Sequence, residues 1–78
     1  MNRGLLVKTV RKHMKLSQWA FSEYMGVTTT MVSKWENEVN HFEDSRVFEL
    51  YYICCNYTTL NTKILFDKII ADIMSKRL

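Results

Sequence analysis

Residues 17–37, SQWAFSEYMGVTTTMVSKWEN, decide the fold. Phe21 and Met25 stand four apart and Val32 and Trp35 three apart, spacings that place each pair on one face of a helix. Between the pairs, Gly26 supplies the positive φ that a tight helix-to-helix turn needs. Val27 follows as an apolar plug for the angle between the helices, while Ser17 and Thr28 are N-caps for the first and the second. The expected helices cover 17–25 and 28–37. Two short helices folded about one glycine make a shape that enters a DNA groove.

Upstream, Leu6, Val7, Val10 and Met14 fall at helical spacing and predict a helix over 5–15, with Lys8, Arg11, Lys12 and Lys15 on its other faces. Leu16 then packs ahead of the Ser17 cap as a hydrophobic staple. Residues 1–4 read as a short polar start, a candidate arm.

Downstream, residues 38–44 are polar apart from Val39 and Phe42, which predicts a loop pinned to the core by Phe42. Asp44 or Ser45 is the expected cap of a fourth helix whose buried face is Val47, Leu50, Tyr51 and Cys54. Phe48, Tyr52 and Ile53 are left over, which suits a helix covered on more than one side. Residues 56–59 suit a turn. Asn61 or Thr62 then caps a last helix to about residue 76. Its apolar residues Ile64, Leu65, Phe66, Ile69, Ile70, Ile73 and Met74 span an arc too wide for one seam.

A chain of 78 residues is one domain, close to the size at which a single core is only just sufficient. With no proline and only Gly4 and Gly26 as glycines, uninterrupted helices are favoured. The expectation is a compact all-α domain of five helices over 1–78.

Charge is unevenly placed. Arg3, Lys8, Arg11, Lys12, Lys15 and Lys34 face only Glu23 in residues 1–35, whereas residues 36–78 hold more acidic than basic groups. A basic half beside an acidic half suits a polyanion against the first part of the chain. Adjacent Cys54 and Cys55 fit neither a structural disulfide nor zinc-ligand spacing and are expected to be buried or half-buried thiols in a reducing cytoplasm. There is no apolar run of membrane-spanning length and no signal-peptide core. His13 and His41 lack the neighbours of a metal site. No carboxylate pair, nucleophile–base set or phosphate-binding glycine loop recommends an enzyme, and neither cofactor nor metal is expected.

The run LSQWAFSEYMGVTTTMVSKWENE over 16–38, set among flanking helices, resembles the lambda-repressor-like helix-turn-helix family of Cro and Xre type. The resemblance covers roughly residues 5–53. It rests on Leu16-Ser17-Gln18, Phe21-Ser22, Gly26-Val27-Thr28, Val32 and Trp35-Glu36. Three positions depart from the family's usual pattern. Glu38 stands where a glycine is common, so Asn37 or Asn40 is expected to take the left-handed conformation at the helix exit. Trp19 replaces a polar residue, and Ser22 an alanine.

The resemblance implies roles. Thr29, Thr30 and Lys34, with Ser33 beside them, take the base-reading positions. Gln18 is the phosphate-clamping glutamine, with Thr28, Asn37 and Asn40 as further phosphate contacts. Arg11 and Glu36 form an internal ion pair that fixes the recognition helix. Lys8, Lys12, Lys15 and Arg3 are candidates for backbone contacts.

The function implied is a sequence-specific double-stranded DNA-binding regulator, most simply a homodimeric cytoplasmic autorepressor on a palindromic operator. Phage repressors, restriction-modification controllers and antitoxins of this type all fit. The last helix, 61–78, is the expected dimer interface through Phe66, Ile69, Ile70, Ile73 and Met74. An antitoxin-like module that neutralises a protein partner, and binds DNA secondarily, is the alternative.

Overall fold

The structure, a computed structural model, describes residues 3–54 and 60–76. In chain order the helices are α1 (Arg3–His13), α2 (Gln18–Met25), α3 (Thr29–Glu36), α4 (Asp44–Cys54) and α5 (Leu60–Ser75). The side chains of Cys54 and Cys55 and the expected turn over 56–59 lie outside the described residues. No helix among them is long and apolar enough to cross a membrane.

Local chemistry sets where the first three helices begin and end. Ser17 and Thr28 are the N-caps, their hydroxyls accepting from the amides of Ala20 (3.0 Å) and Met31 (3.1 Å). At the other ends α1, α2 and α3 close with the same Schellman pairing. Leu16 N–H reaches the Arg11 carbonyl, Val27 N–H that of Ser22 and Val39 N–H that of Lys34, at 3.2, 2.9 and 2.9 Å. The residue this closure places at positive φ is Gly26 (φ 70°) after α2, but Lys15 and Glu38 (both φ 60°) after α1 and α3. The expected left-handed Asn37 or Asn40 is thus corrected. Glu38 takes that conformation itself, at a cost of about 1–2 kcal/mol for a non-glycine residue, while Asn37 sits at φ −93°.

The first turn of α1 corrects a second expectation. Arg3 and Gly4 do not form an arm; both are helical and buried. Arg3 Nη1 donates to the Phe42 carbonyl at 2.7 Å and lies 2.7 Å from Asp44 Oδ1. Gly4 passes so close to the end of α3 that a Cβ there would lie 2.7 Å from the Trp35 carbonyl oxygen and 2.9 Å from that of Glu36. Only glycine permits that approach.

The five helices of the described residues close around one core, in which α3 packs on α1 and α2, and α5 on α1 and α4. Leu6, Val7 and Val10 of α1 meet Phe21, Val32 and Trp35 from the helix pair, with Val27 and Leu16 packed against them. Phe42 anchors the loop after α3, edge-on to Trp35 with centroids 4.9 Å apart. From α4, Val47 and Leu50 are fully buried among the described side chains of the expected face. Tyr51 and Phe48 stay partly exposed, Tyr51 with its ring edge-on to Phe66 at 5.3 Å, and Tyr52 faces outward. Asp44 and Ser45 fall inside α4, whose first-turn amides at Arg46 and Val47 bond the Glu43 carbonyl. Leu60 likewise opens α5, so Asn61 and Thr62 lie within its first turn.

α5 packs differently from a free apolar face. Phe66, Ile69 and Ile73, at i, i+3 and i+7, are at most 1% exposed and complete the core against α1 and α4. Their side chains are covered by their own chain. Of the five residues expected at a dimer interface, Ile70 is half-buried and only Met74 is exposed. Ile64, one turn from the start, is the other large apolar residue at the surface among the described side chains of this helix.

Candidate nucleic-acid interface

The α2–turn–α3 unit is held rigid from inside, which lets its outer strip be short and polar. Ser22 is buried at the crossing of the two helices. Its Oγ donates to the Trp19 carbonyl at 2.5 Å and lies 3.3 Å from Thr29 Oγ1. The serine that replaces the usual alanine is therefore satisfied without opening the crossing, and it ties the first residue of α3 to α2. Trp19, undecided from sequence between packing and exposure, is 65% exposed.

The outer strip of α3 combines Thr30 and Lys34, both exposed, with Ser33, half-buried, and Asn37, exposed. Asn37 Nδ2 donates to the Ser33 carbonyl at 2.9 Å and reaches Ser33 Oγ at 3.3 Å, so these two act as a unit. Thr29 is half-buried on the Ser22 side. The four base-reading candidates are thus brought to one helix, two fully presented and two partly turned inward.

The phosphate candidates divide in the same way. Thr28 is exposed, with its hydroxyl occupied as the cap of α3. Gln18 is half-buried and its Nε2 donates to Glu36 Oε1 at 3.2 Å; a carboxamide has a second N–H and an acceptor oxygen besides. Asn40 turns inward, its Nδ2 3.4 Å from Met31 Sδ, in a crevice shared with Val27, Trp35, His41 and Arg46.

Beneath the strip lies the Arg11–Glu36 pair. Arg11 Nε is 2.6 Å from Glu36 Oε2 and Nη2 is 3.1 Å from Oε1, a two-pronged contact, while Nη1 donates to the Leu16 carbonyl at 2.9 Å. The two side chains are 12% and 5% exposed. With Gln18 on the same carboxylate, this network joins α1, the start of α2 and the end of α3.

Sequence reasoning missed the contacts that arrive from far along the chain. Glu38 Oε1 accepts the Gly4 N–H at 2.8 Å, and the Arg46 guanidinium lies over the Trp35 ring at 5.5 Å. Glu38 in a glycine position was the one available signal for the first. Among the described residues no group of three or more His, Cys, Asp or Glu is placed to hold a metal ion. The helix-turn-helix family model HTH_3 matches residues 7–50, from within α1 to within α4. No curated protein and no solved structure matches the chain.

Proposed function

Because the chain belongs to the Cro/C1-type helix-turn-helix family, a DNA-binding family, we propose that it is a sequence-specific regulator, a homodimeric autorepressor that reads a palindromic operator through the major groove. The observation that carries this reading is the outward strip of Thr30, Ser33, Lys34 and Asn37 on a helix locked from behind by Arg11 and Glu36. Lys34 supplies a donor for guanine acceptors, and threonine either bonds a base edge or sets its methyl against a thymine methyl. Thr29 and Ser33 assist at the edges of the strip. Gln18, Thr28 and Asn37 contact the flanking phosphates, and Asn40 does so only after leaving Met31.

Thr30→Ala is expected to reduce the preference for the operator over random duplex by roughly 5- to 150-fold. Affinity for random DNA stays near that of the wild type. Competition titrations measure both; equal weakening on the two DNAs would take Thr30 out of the base-reading set.

A single recognition helix distinguishes too few base pairs among a genome's competing sites, and a dimer reading half-sites ~34–36 Å apart is the remedy this motif uses. The surface strip of α5 around Ile64 and Met74, rather than its buried face, is the proposed contact. Sedimentation at micromolar concentration should give a dimer that Met74→Glu weakens. A monomer that remains monomeric on DNA would remove this part of the proposal.

A further inference from the structure

The segment that leaves the recognition helix is acidic where a phosphate-facing loop is best neutral or basic. Between Lys34 and Arg46 the chain holds Glu36, Glu38, Glu43 and Asp44 and no Lys or Arg. Glu36 is consumed by Arg11. Glu38 and Asp44 are both tied to the first turn of α1, more than 30 residues earlier in the chain. Glu38 Oε1 accepts the Gly4 N–H at 2.8 Å, and Asp44 Oδ1 lies 2.7 Å from Arg3 Nη1, which also donates to the Phe42 carbonyl at 2.7 Å.

Two features show that these contacts are built in at a cost. Arg3 is only 6% exposed, and a charged side chain is rarely buried unless it is paired. Glu38 holds a φ of 60°, a conformation glycine would adopt without strain. Glycine, however, would have no carboxylate to return to α1. Glu38 stays exposed overall, but the positive φ and the side chain together return one carboxylate oxygen to the Gly4 amide, at the helix end whose partial positive charge favours it.

We propose that the first turn of α1, through Arg3 and the Gly4 amide, clamps the acidic exit loop and holds the Glu38 and Asp44 carboxylates back against α1 rather than toward DNA. Arg3 and Glu38 are then positioning residues for DNA binding that do not themselves touch DNA. This rests on the DNA-binding reading above.

The test is duplex affinity by fluorescence anisotropy across a salt series, with folding verified by circular dichroism at the assay temperature. Glu38→Ala removes a negative charge near the DNA, so simple charge counting expects tighter binding. The clamp expects binding roughly tenfold weaker, because the exit loop loses its tie to Gly4 and no longer holds its place at the end of α3, and wild-type affinity in Glu38→Gln, whose carboxamide oxygen still accepts from Gly4. Arg3→Met should also weaken binding, most at low salt where charges are least screened, and Asp44→Asn in that background should restore most of the loss. Glu38→Ala binding as tightly as the wild type or tighter would overturn the clamp, as would a salt-independent loss in Arg3→Met that Asp44→Asn fails to recover. Should Arg3→Met not fold, the Glu38 pair of variants decides alone. A wild-type protein that binds no duplex overturns the DNA reading itself, and this inference with it.

Discussion

Replacing Glu36 by alanine is expected to lower the melting temperature by on the order of 15–30 °C. Breaking a buried pair by removing one partner costs about 3–5 kcal/mol, and in a domain of this size each kcal/mol moves the midpoint by roughly 4–8 °C. The penalty comes from what is left behind. Arg11, 12% exposed, would retain only the Leu16 carbonyl of its three contacts, and Gln18 would lose its acceptor. Against a total stability of roughly 4–12 kcal/mol, the variant would be partly unfolded at 37 °C. Removing both charges with Arg11→Met and Glu36→Leu should cost much less than Glu36→Ala alone, because no charge is then stranded. Thermal melts followed by circular dichroism check both; a shift below about 4 °C in Glu36→Ala would place the pair effectively in water.

Phe42→Ala is expected to cost about 3–5 kcal/mol, measured by urea unfolding. The side chain is 1% exposed and edge-on to Trp35, so deletion removes apolar burial, an aromatic pair and the pin of the exit loop together. Its carbonyl also receives Arg3. Phe42→Leu, which keeps most of the volume, should lose less than about 1.5 kcal/mol. The contrast separates packing from position: if alanine costs no more than leucine, the loop collapses into the space and Phe42 is no anchor.

The parts of the fold that were legible in sequence are those decided within a few residues. Ser17, Gly26 and Thr28 act on their own helix ends, and the spacings of Phe21, Met25, Val32 and Trp35 report which face is buried, so the helix-turn-helix could be read directly. The clamp was not legible, because Gly4 meets Glu38 and Arg3 meets Phe42 across separations of 34 and 39 residues, and no local pattern encodes which backbone will approach. Glu38 was misread for the same reason. Propensity favours asparagine in the left-handed region, yet the Schellman pairing from Val39 to Lys34 fixes which residue must adopt it.

α5 illustrates a different limit. The spacing of Phe66, Ile69 and Ile73 states that this face is covered, but not whether the cover is the same chain or a second copy. Here α1 and α4 supply it. The outward strip of α3 was legible as a set of side chains, since it is what remains once Val32 and Trp35 are assigned inward. The half-turned positions of Thr29 and Asn40 were not, because each depends on a partner, Ser22 or Met31, that only packing brings near.

The most direct test of the central claim, sequence-specific DNA recognition by α3, is a gel-shift titration with the duplex lying upstream of this chain's own coding sequence, at several salt concentrations and against excess random competitor. The account predicts a discrete complex that survives competitor, weakens steeply as salt rises and loses its preference in Thr30→Ala. Binding that random DNA removes as readily as the upstream duplex, at every salt concentration, would contradict it.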